Sequence, residues 1–206
     1  MYELVHNDRV IGGIDEASTE KAVAFYRQYT KGDLHRTNAR TAEMCKLVEN
    51  SSRDVQIAFA NELSLICDKA DINVWELIAL ANKHPRVNIL SPGCGVGGHC
   101  IAVDPYFIVH DFPEESELIK TSRLLNRKKE NWCLQIMAKT IDQFVLDHKK
   151  LPVIGIYGLS FKPNIDDLRE SPAQNIALKL KEMFPIHQIL FVEPNINQHP
   201  KLEITP

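Results

Sequence analysis

Two stretches of this chain contain no Gly or Pro for more than thirty residues each, and they constrain its fold more than anything else in it. The first is "NARTAEMCKLVENSSRDVQIAFANELSLICDKA", residues 38–70. Its apolar residues recur at Met44, Leu47, Val48, Val55, Ala58, Phe59, Leu63 and Ile66, a helical spacing that predicts one long amphipathic helix with a buried apolar stripe. The second is "EESELIKTSRLLNRKKENWCLQIMAKTIDQFVLDHKK", residues 114–150, helix-spaced in its apolar positions, basic on its polar face and stopped by Pro152.

Shorter elements fill the intervals. "DRVIGGID" reads as a short strand running into a Gly turn, with nothing before it to pair with. A helix is expected from about Ala17 to Thr30, and another over "NVWELIALANK", with Asn73 as N-cap and Pro85 as its stop. The segment "HPRVNILSPGCGVGGHCIAVDPYFI" reads as loop because of its Gly and Pro content. Past Pro152 the texture changes. "LPVIGIYGLSF" suits a buried parallel strand, "ESPAQNIALKLKEMF" a helix with Ser171 as N-cap and Pro172 at its first position, and "QILFVEPN" a second strand. Two strands give no independent core, and "KLEITP" arrives before a third appears. The expected architecture is a mainly α region over 1–150, holding a Cys loop and a long connecting helix, followed by a partial α/β Rossmann-like domain over 151–206.

Composition narrows the function. Of 206 residues 25% are charged, and the formal net charge of −3 provides no electrostatic footprint for nucleic acid. No apolar run is long enough to span a bilayer, and "MYELVHNDRV" does not read as a signal peptide, so none is expected. Five scattered cysteines without a C-x-x-C pair predict a reduced, cytoplasmic protein with no disulfide scaffold or metal site.

The loop "GCGVGGHC" contains Gly93-x-Gly95-x-x-Gly98, the dinucleotide-binding spacing. Its context is wrong, because that motif requires a strand before it and a helix opening from it. The glycines instead suit a backbone that a ligand approaches closely, leaving room for a substrate carbon to reach Cys100. Cys100 is a candidate nucleophile, with Asp104 four residues on, and an inert small hydrophobe is its plainer reading. His99 is unsuited as its base, because adjacent side chains of an extended segment point apart. Lys46, Asn50 and Arg53 share one face of the first long helix. A lysine buried on a core helix has a readily shifted pKa, which makes Lys46 a candidate general base. His84, Arg86, Lys162 and Arg169 place cations in loops and suggest an anionic ligand, although Asp166 and Asp167 could neutralise the last two locally.

"TAEMCKLVENSSRDVQIAFANELSLIC", "GVGGHCIAVDPYFI" and "GLSFKPNIDDLRESPA" together resemble the UDP-glucose/GDP-mannose dehydrogenase family, in the family's order and over nearly the whole chain. The resemblance implies a middle domain of helices like those of 6-phosphogluconate dehydrogenase. It also implies two NAD-dependent oxidations of a sugar C6 alcohol to a carboxylate through a Cys thioester. The "GGHC" form of the loop, where relatives acting on UDP-glucose have "GGSC", implies UDP-N-acetyl-D-mannosamine as the sugar. UDP-glucose, UDP-GlcNAc and a non-catalytic UDP-sugar-binding or dimerisation module are the alternatives. By resemblance, Cys100 is the nucleophile, Lys46 the acid/base, Asn50 the oxyanion donor and Asp104 the acid assisting water. Arg53, His84, Arg86, Gly95, Phe161 and Lys162 would hold the UDP-sugar, with Arg86 reaching across a homodimer built on the long central helices. Arg169 would contact NAD. The family's N-terminal NAD-binding domain is expected to be missing from this chain, which would leave it inactive alone.

Overall fold

The computed structural model describes residues 1–205 and divides into two compact units, 1–50 and 51–206. In the first unit a short helix, α1 (Tyr2–His6), precedes β1 (Arg9–Gly13), α2 (Glu16–Arg27) and β2 (Leu34–Asn38). β1 and β2 pair in parallel, from Arg9 opposite Leu34 to Gly13 opposite Asn38. The strand that lacked a partner in the sequence finds one downstream, across the helix, in a small βαβ unit. Its sheet covers a core of Ile11, Val23 and Leu34. β2 escapes periodicity analysis because "LHRTN" is mostly polar, and only Leu34 is buried.

The long helix α3 (Ala39–Ala70) runs from the first unit into the second. Its start is set by Asn38, whose Oδ1 accepts from the Thr41 amide at 2.9 Å. In the second unit it is followed by α4 (Val74–Ala81), α5 (Asp104–Asp111), α6 (Glu117–His148), β3 (Ile154–Tyr157), α7 (Pro172–Met183) and β4 (Ile189–Val192). Asn73 caps α4, accepting from Trp75 and Glu76, and Ser171 caps α7, with Pro172 in its first turn. Pro105 belongs to the first turn of α5, where a missing amide costs nothing, so the segment expected to be loop contains a helix.

Of the apolar stripe that the spacing of α3 predicts, Ala58 alone is fully buried. Val48, Phe59 and Ile66 are 49%, 51% and 56% exposed, whereas Ser51, Asp54, Ala58, Asn61, Ser64 and Cys67 are buried. Small and polar residues make the buried row, and their polar groups find partners on α6. The basic face of α6 likewise turns inward in part: Arg123 and Lys129 are buried together with Asn126.

β3 and β4 are parallel, Ile154 opposite Ile189 through Tyr157 opposite Val192, and Phe191 bridges in parallel to Ile204. "KLEITP" therefore does begin a third strand line, and Leu202 is buried beside it. The second half of α6 supplies the core that two strands lack. Ile141 packs in one cluster with Ile156, Leu159, Ala177, Leu180 and Phe191, flanked by Leu134 and Met137. Lys179 of α7 adds an ion pair to Glu130 of α6 at 2.7 Å. Shared packing on α6 joins the helical and α/β parts of residues 51–206 in one compact unit.

The loop between β3 and α7 is held by its own polar groups. Glu193, buried at the end of β4, accepts from the Leu159 and Ser160 amides at 2.8 and 3.1 Å and from Asn195. Ser171 Oγ donates to the Leu159 carbonyl at 2.6 Å, and Ser160 Oγ to that of Ile165 at 2.8 Å. Burial alone would raise the Glu193 carboxyl, but the converging amide donors outweigh it and pull the group down to about 2. A carboxylate depressed in the folded state stabilises above its unfolded pKa and loses that contribution as pH falls towards 2. Glu193→Gln should therefore flatten the acid side of the stability profile. Wild type should lose on the order of 3 kcal/mol more than the variant between about pH 6 and pH 2 in urea titrations.

Candidate functional site

The Cys100 loop is fixed at its start by a ladder of buried amides. Asn61 Oδ1 on α3 accepts from the Gly93 amide at 2.8 Å, while Asn61 Nδ2 donates to Asn126 Oδ1 on α6 at 2.9 Å. Asn126 Nδ2 in turn donates to Asp54 Oδ1 at 2.8 Å, and Arg123 Nη1 donates to the same oxygen at 2.6 Å. Asp54 and Asn61 are 0% exposed. Burial raises the Asp54 carboxyl, and Arg123 and Asn126 pull against it. One ion pair and three amide links thus connect two helices to the first residue of the loop.

The middle of the loop rests on the segment between β3 and α7. The Gly98 amide donates to the Arg169 carbonyl at 3.0 Å. Gly98 has φ +86°, and a Cβ there would lie 2.9 Å from the Phe161 ring; a Cβ on Gly97 would lie 2.4 Å from the Glu170 carbonyl oxygen. Gly95 is similarly pressed on Pro172. The room these glycines make is thus filled by the protein's own 161–172 segment, which corrects the expectation that it admits a substrate carbon. The loop ends in a turn in which the Cys100 carbonyl accepts from the Val103 and Asp104 amides at 3.0 and 2.8 Å, leading into α5. Cys100 is a free, half-buried cysteine, and Asp104 is half-buried in the first turn of α5.

Charge around the loop comes from the same segment. Arg169 donates to Asp167 from its side chain, Nη2 to Oδ2 at 2.6 Å and Nε to Oδ1 at 3.0 Å and Oδ2 at 3.1 Å, and from its backbone amide to Oδ1 at 3.0 Å. His99 Nδ1 lies 3.9 Å from Asp167. The Arg169 hydrogen bonds hold the Asp167 carboxyl down at about 2. Asp167 raises Arg169 in return, and the Cys100 sulfur adds a smaller push in the same direction, so Cys100 lies within electrostatic reach of the guanidinium. Local neutralisation of Arg169 is therefore real. Its side chain is nonetheless 63% exposed, and its Nη1 has no partner among the described residues. Lys162 is exposed at the tip of the same segment, and Phe161 is half-buried against Gly98.

The other expected residues lie elsewhere. His84 and Arg86 are exposed in the turn after α4, where His84 Nδ1 accepts from the Arg86 amide at 3.3 Å. Arg53 is exposed on α3. In the first unit, Asn50 is buried, but Lys46 is 63% exposed and 3.8 Å from Glu49. The burial that made Lys46 attractive as a general base is absent, because the buried row of α3 is a different one. Sequence reasoning missed Asp54, Asn61, Arg123 and Asn126 altogether. Their one signal was polar residues at heptad spacing inside a breaker-free helix, 54 with 61, which reads equally as a solvated face. No helix among the described residues is long and apolar enough to cross a membrane.

Comparison with known proteins agrees with this geometry. The central domain of the UDP-glucose/GDP-mannose dehydrogenase family matches residues 40–128, from the start of α3 into α6. The UDP-binding domain of the same family matches residues 155–205. The chain belongs to this family. It is 58% identical over 198 residues to UDP-N-acetyl-D-mannosamine dehydrogenase of Campylobacter jejuni, covering 96% of this chain and 47% of that protein. It is 54% identical over 200 residues to NDP-N-acetyl-D-galactosaminuronic acid dehydrogenase of Ralstonia nicotianae, covering 97% of this chain and 46% of that one. The solved UDP-N-acetyl-mannosamine dehydrogenase of S. aureus superposes with a TM-score of 0.82 at 44% identity, over 98% of this chain and 47% of that structure. The chain spans about half the length of the relatives it matches.

Asn61→Leu should leave Asn126 Oδ1 buried without a partner and release the exposed Gly93 amide, at a cost of about 1–3 kcal/mol in chemical denaturation. Alkylation of Cys100 should accelerate in the same variant, because the loop loses its anchor; an unchanged rate would show that the ladder does not hold the loop.

Proposed function

We infer that this chain carries the nucleophile and UDP-binding portions of an NAD-dependent UDP-N-acetyl-D-mannosamine 6-dehydrogenase, acting in the cytoplasm. The single observation that supports this most strongly is a cysteine on a loop anchored from α3 and α6 and pressed against the 161–172 segment of the UDP-binding domain. A nucleophile and a nucleotide-recognition segment in direct contact suit a reaction at one end of a nucleotide sugar.

In this reading Cys100 Sγ attacks the C6 aldehyde formed in the first oxidation and gives a thiohemiacetal. A second oxidation converts that adduct to a thioester, which water cleaves with assistance from Asp104. NAD, when bound, accepts the hydride in both oxidations. Arg169 is the residue of this chain that fits a cofactor phosphate, since its exposed guanidinium retains an unpartnered Nη1 while Asp167 fixes its orientation. Lys162 and Phe161 serve the nucleotide sugar from the same segment, and Gly95 shapes the loop backbone beside it. Arg53, His84 and Arg86 supply further cations and donors to its anionic portion. Lys46 and Asn50 retain, as part of the proposal, the acid/base and oxyanion roles of their family positions.

The choice of N-acetylmannosamine rests on the "GGHC" loop and on the similarity to proteins named for that sugar. Calorimetry should give tighter binding of UDP-N-acetyl-D-mannosamine than of UDP-glucose, and Lys162→Ala should weaken it about tenfold. Equal affinity for the two sugars would remove the substrate assignment. Cys100→Ala should abolish uronate formation, read from the absorbance of the reduced cofactor, while leaving UDP-sugar affinity within about twofold. Normal turnover by that variant would refute the thioester route.

The homodimer follows from the same reading. Phe59 and Ile66, one heptad apart, are 51% and 56% exposed on one face of α3. Replacing both by Asp should convert a dimer to a monomer in sedimentation equilibrium without loss of helical circular dichroism; a monomeric wild type would exclude it.

A further inference from the structure

We propose that Lys129 is a nucleophilic amine that captures small carbonyl compounds, in a cleft separate from the Cys100 loop's contact with the UDP-binding segment. The cleft measures about 720 Å³ and lies between α3, the start of α4, Gly93 and α6. Both tryptophans of the chain, Trp75 and Trp132, line it, together with Ser64, Cys67, Asp68, Lys129 and Cys133.

Lys129 is 4% exposed, a rare degree of burial for a lysine without a carboxylate partner. Its Nζ donates to Ser64 Oγ at 2.6 Å and stands 3.7 Å from the centre of the Trp132 ring. No carboxylate lies within ion-pair distance of it among the described residues. Burial lowers its pKa, opposed by the more distant Cys133, Asp68 and Cys94. A desolvated amine holds a larger neutral fraction near pH 7 than a solvated one, and the neutral form is the nucleophile. Cys133 lies one turn on, at i+4, on the same side of α6. Its thiol is raised by burial, so it stays protonated and leaves the carbonyl chemistry to the amine.

The step balances without a redox partner. The neutral Nζ forms a bond to the carbonyl carbon, the carbonyl oxygen leaves as water, and an imine remains. On protonation the imine is a cation, for which the Trp132 face is as suitable as it is for the ammonium. The aromatic walls favour a planar or aryl aldehyde over a sugar. Ser64, Cys67 and Asp68 lie more than a fifth of a turn round α3 from Phe59 and Ile66, so the cleft is not the face assigned to the dimer.

The test uses the wild-type chain in the folded state. It is incubated at neutral pH with 2-hydroxybenzaldehyde, the imine is fixed with cyanoborohydride, and labelled lysines are quantified by peptide mapping. Lys129 should be labelled about tenfold faster than exposed Lys46 and Lys69, or more, with quenching of tryptophan fluorescence in step. Lys129→Met should remove the fast phase and the quenching. Labelling of Lys129 no faster than the exposed lysines, or only after unfolding in urea, would overturn the proposal. Because the readout is the wild-type peptide map, the result stands even where the variant fails to fold. It is also independent of Cys100, so loss of uronate-forming activity has no bearing on it.

Discussion

The start of the Cys100 loop is positioned from one buried ion pair, Asp54 with Arg123 at 2.6 Å. Two residues 69 apart in sequence, one on α3 and one on α6, meet there, and the pair is almost wholly removed from water. A buried ion pair is a poor source of net stability, because desolvation consumes most of the attraction. Its value lies in what it excludes. Removing either partner leaves a buried charge at a cost of about 3–5 kcal/mol, so alternative registers of α3 on α6 are strongly disfavoured. Asn126 and Asn61 carry that register outward, amide to amide, to the backbone of Gly93. A network with each amide oriented by the next transmits position more sharply than apolar packing, which tolerates sliding.

The loop needs a second support, and the α/β region provides it through a chain of the same character. Glu193 fixes the amides of Leu159 and Ser160, Ser171 fixes the carbonyl of Leu159, and the segment between them meets Gly97 and Gly98. Recognition of a nucleotide by Phe161 and Lys162 would thus be felt at the backbone next to Cys100. This is a physical reason for the two domains to be contiguous on α6, whose first half carries Arg123 and Asn126 and whose second half carries Ile141 in the α/β core.

Much of the architecture was legible in the chain. The two long helices, the caps at Asn73 and Ser171, and the parallel βαβ unit after residue 150 all follow from local signals that tertiary packing left intact. Local signals failed where a residue's partner was remote. Pro105 looked like a breaker and is a helix start. The "LHRTN" strand is polar because only one of its residues faces a core. The glycines of the Cys loop looked like space for a ligand, whereas Glu170, Phe161 and Pro172 fill that space. The motif residues themselves could be found by eye, but the ladder that holds them could not, because Asn and Asp on a helix look the same whether solvated or paired.

By itself the sequence determined the two long helices, the caps of α4 and α7, and membership of the UDP-glucose/GDP-mannose dehydrogenase family. These depend on period, capping and motif, all of which are short-range. Only the tertiary structure decided which face of α3 is buried. Asp54, Asn61 and Ser64 went inward while Phe59 and Ile66 stayed half-exposed, against their hydrophobicity. The reason is pairing: a polar group can be buried when another helix brings its complement, and residues 123, 126 and 129 do so from the far end of the chain's helical region.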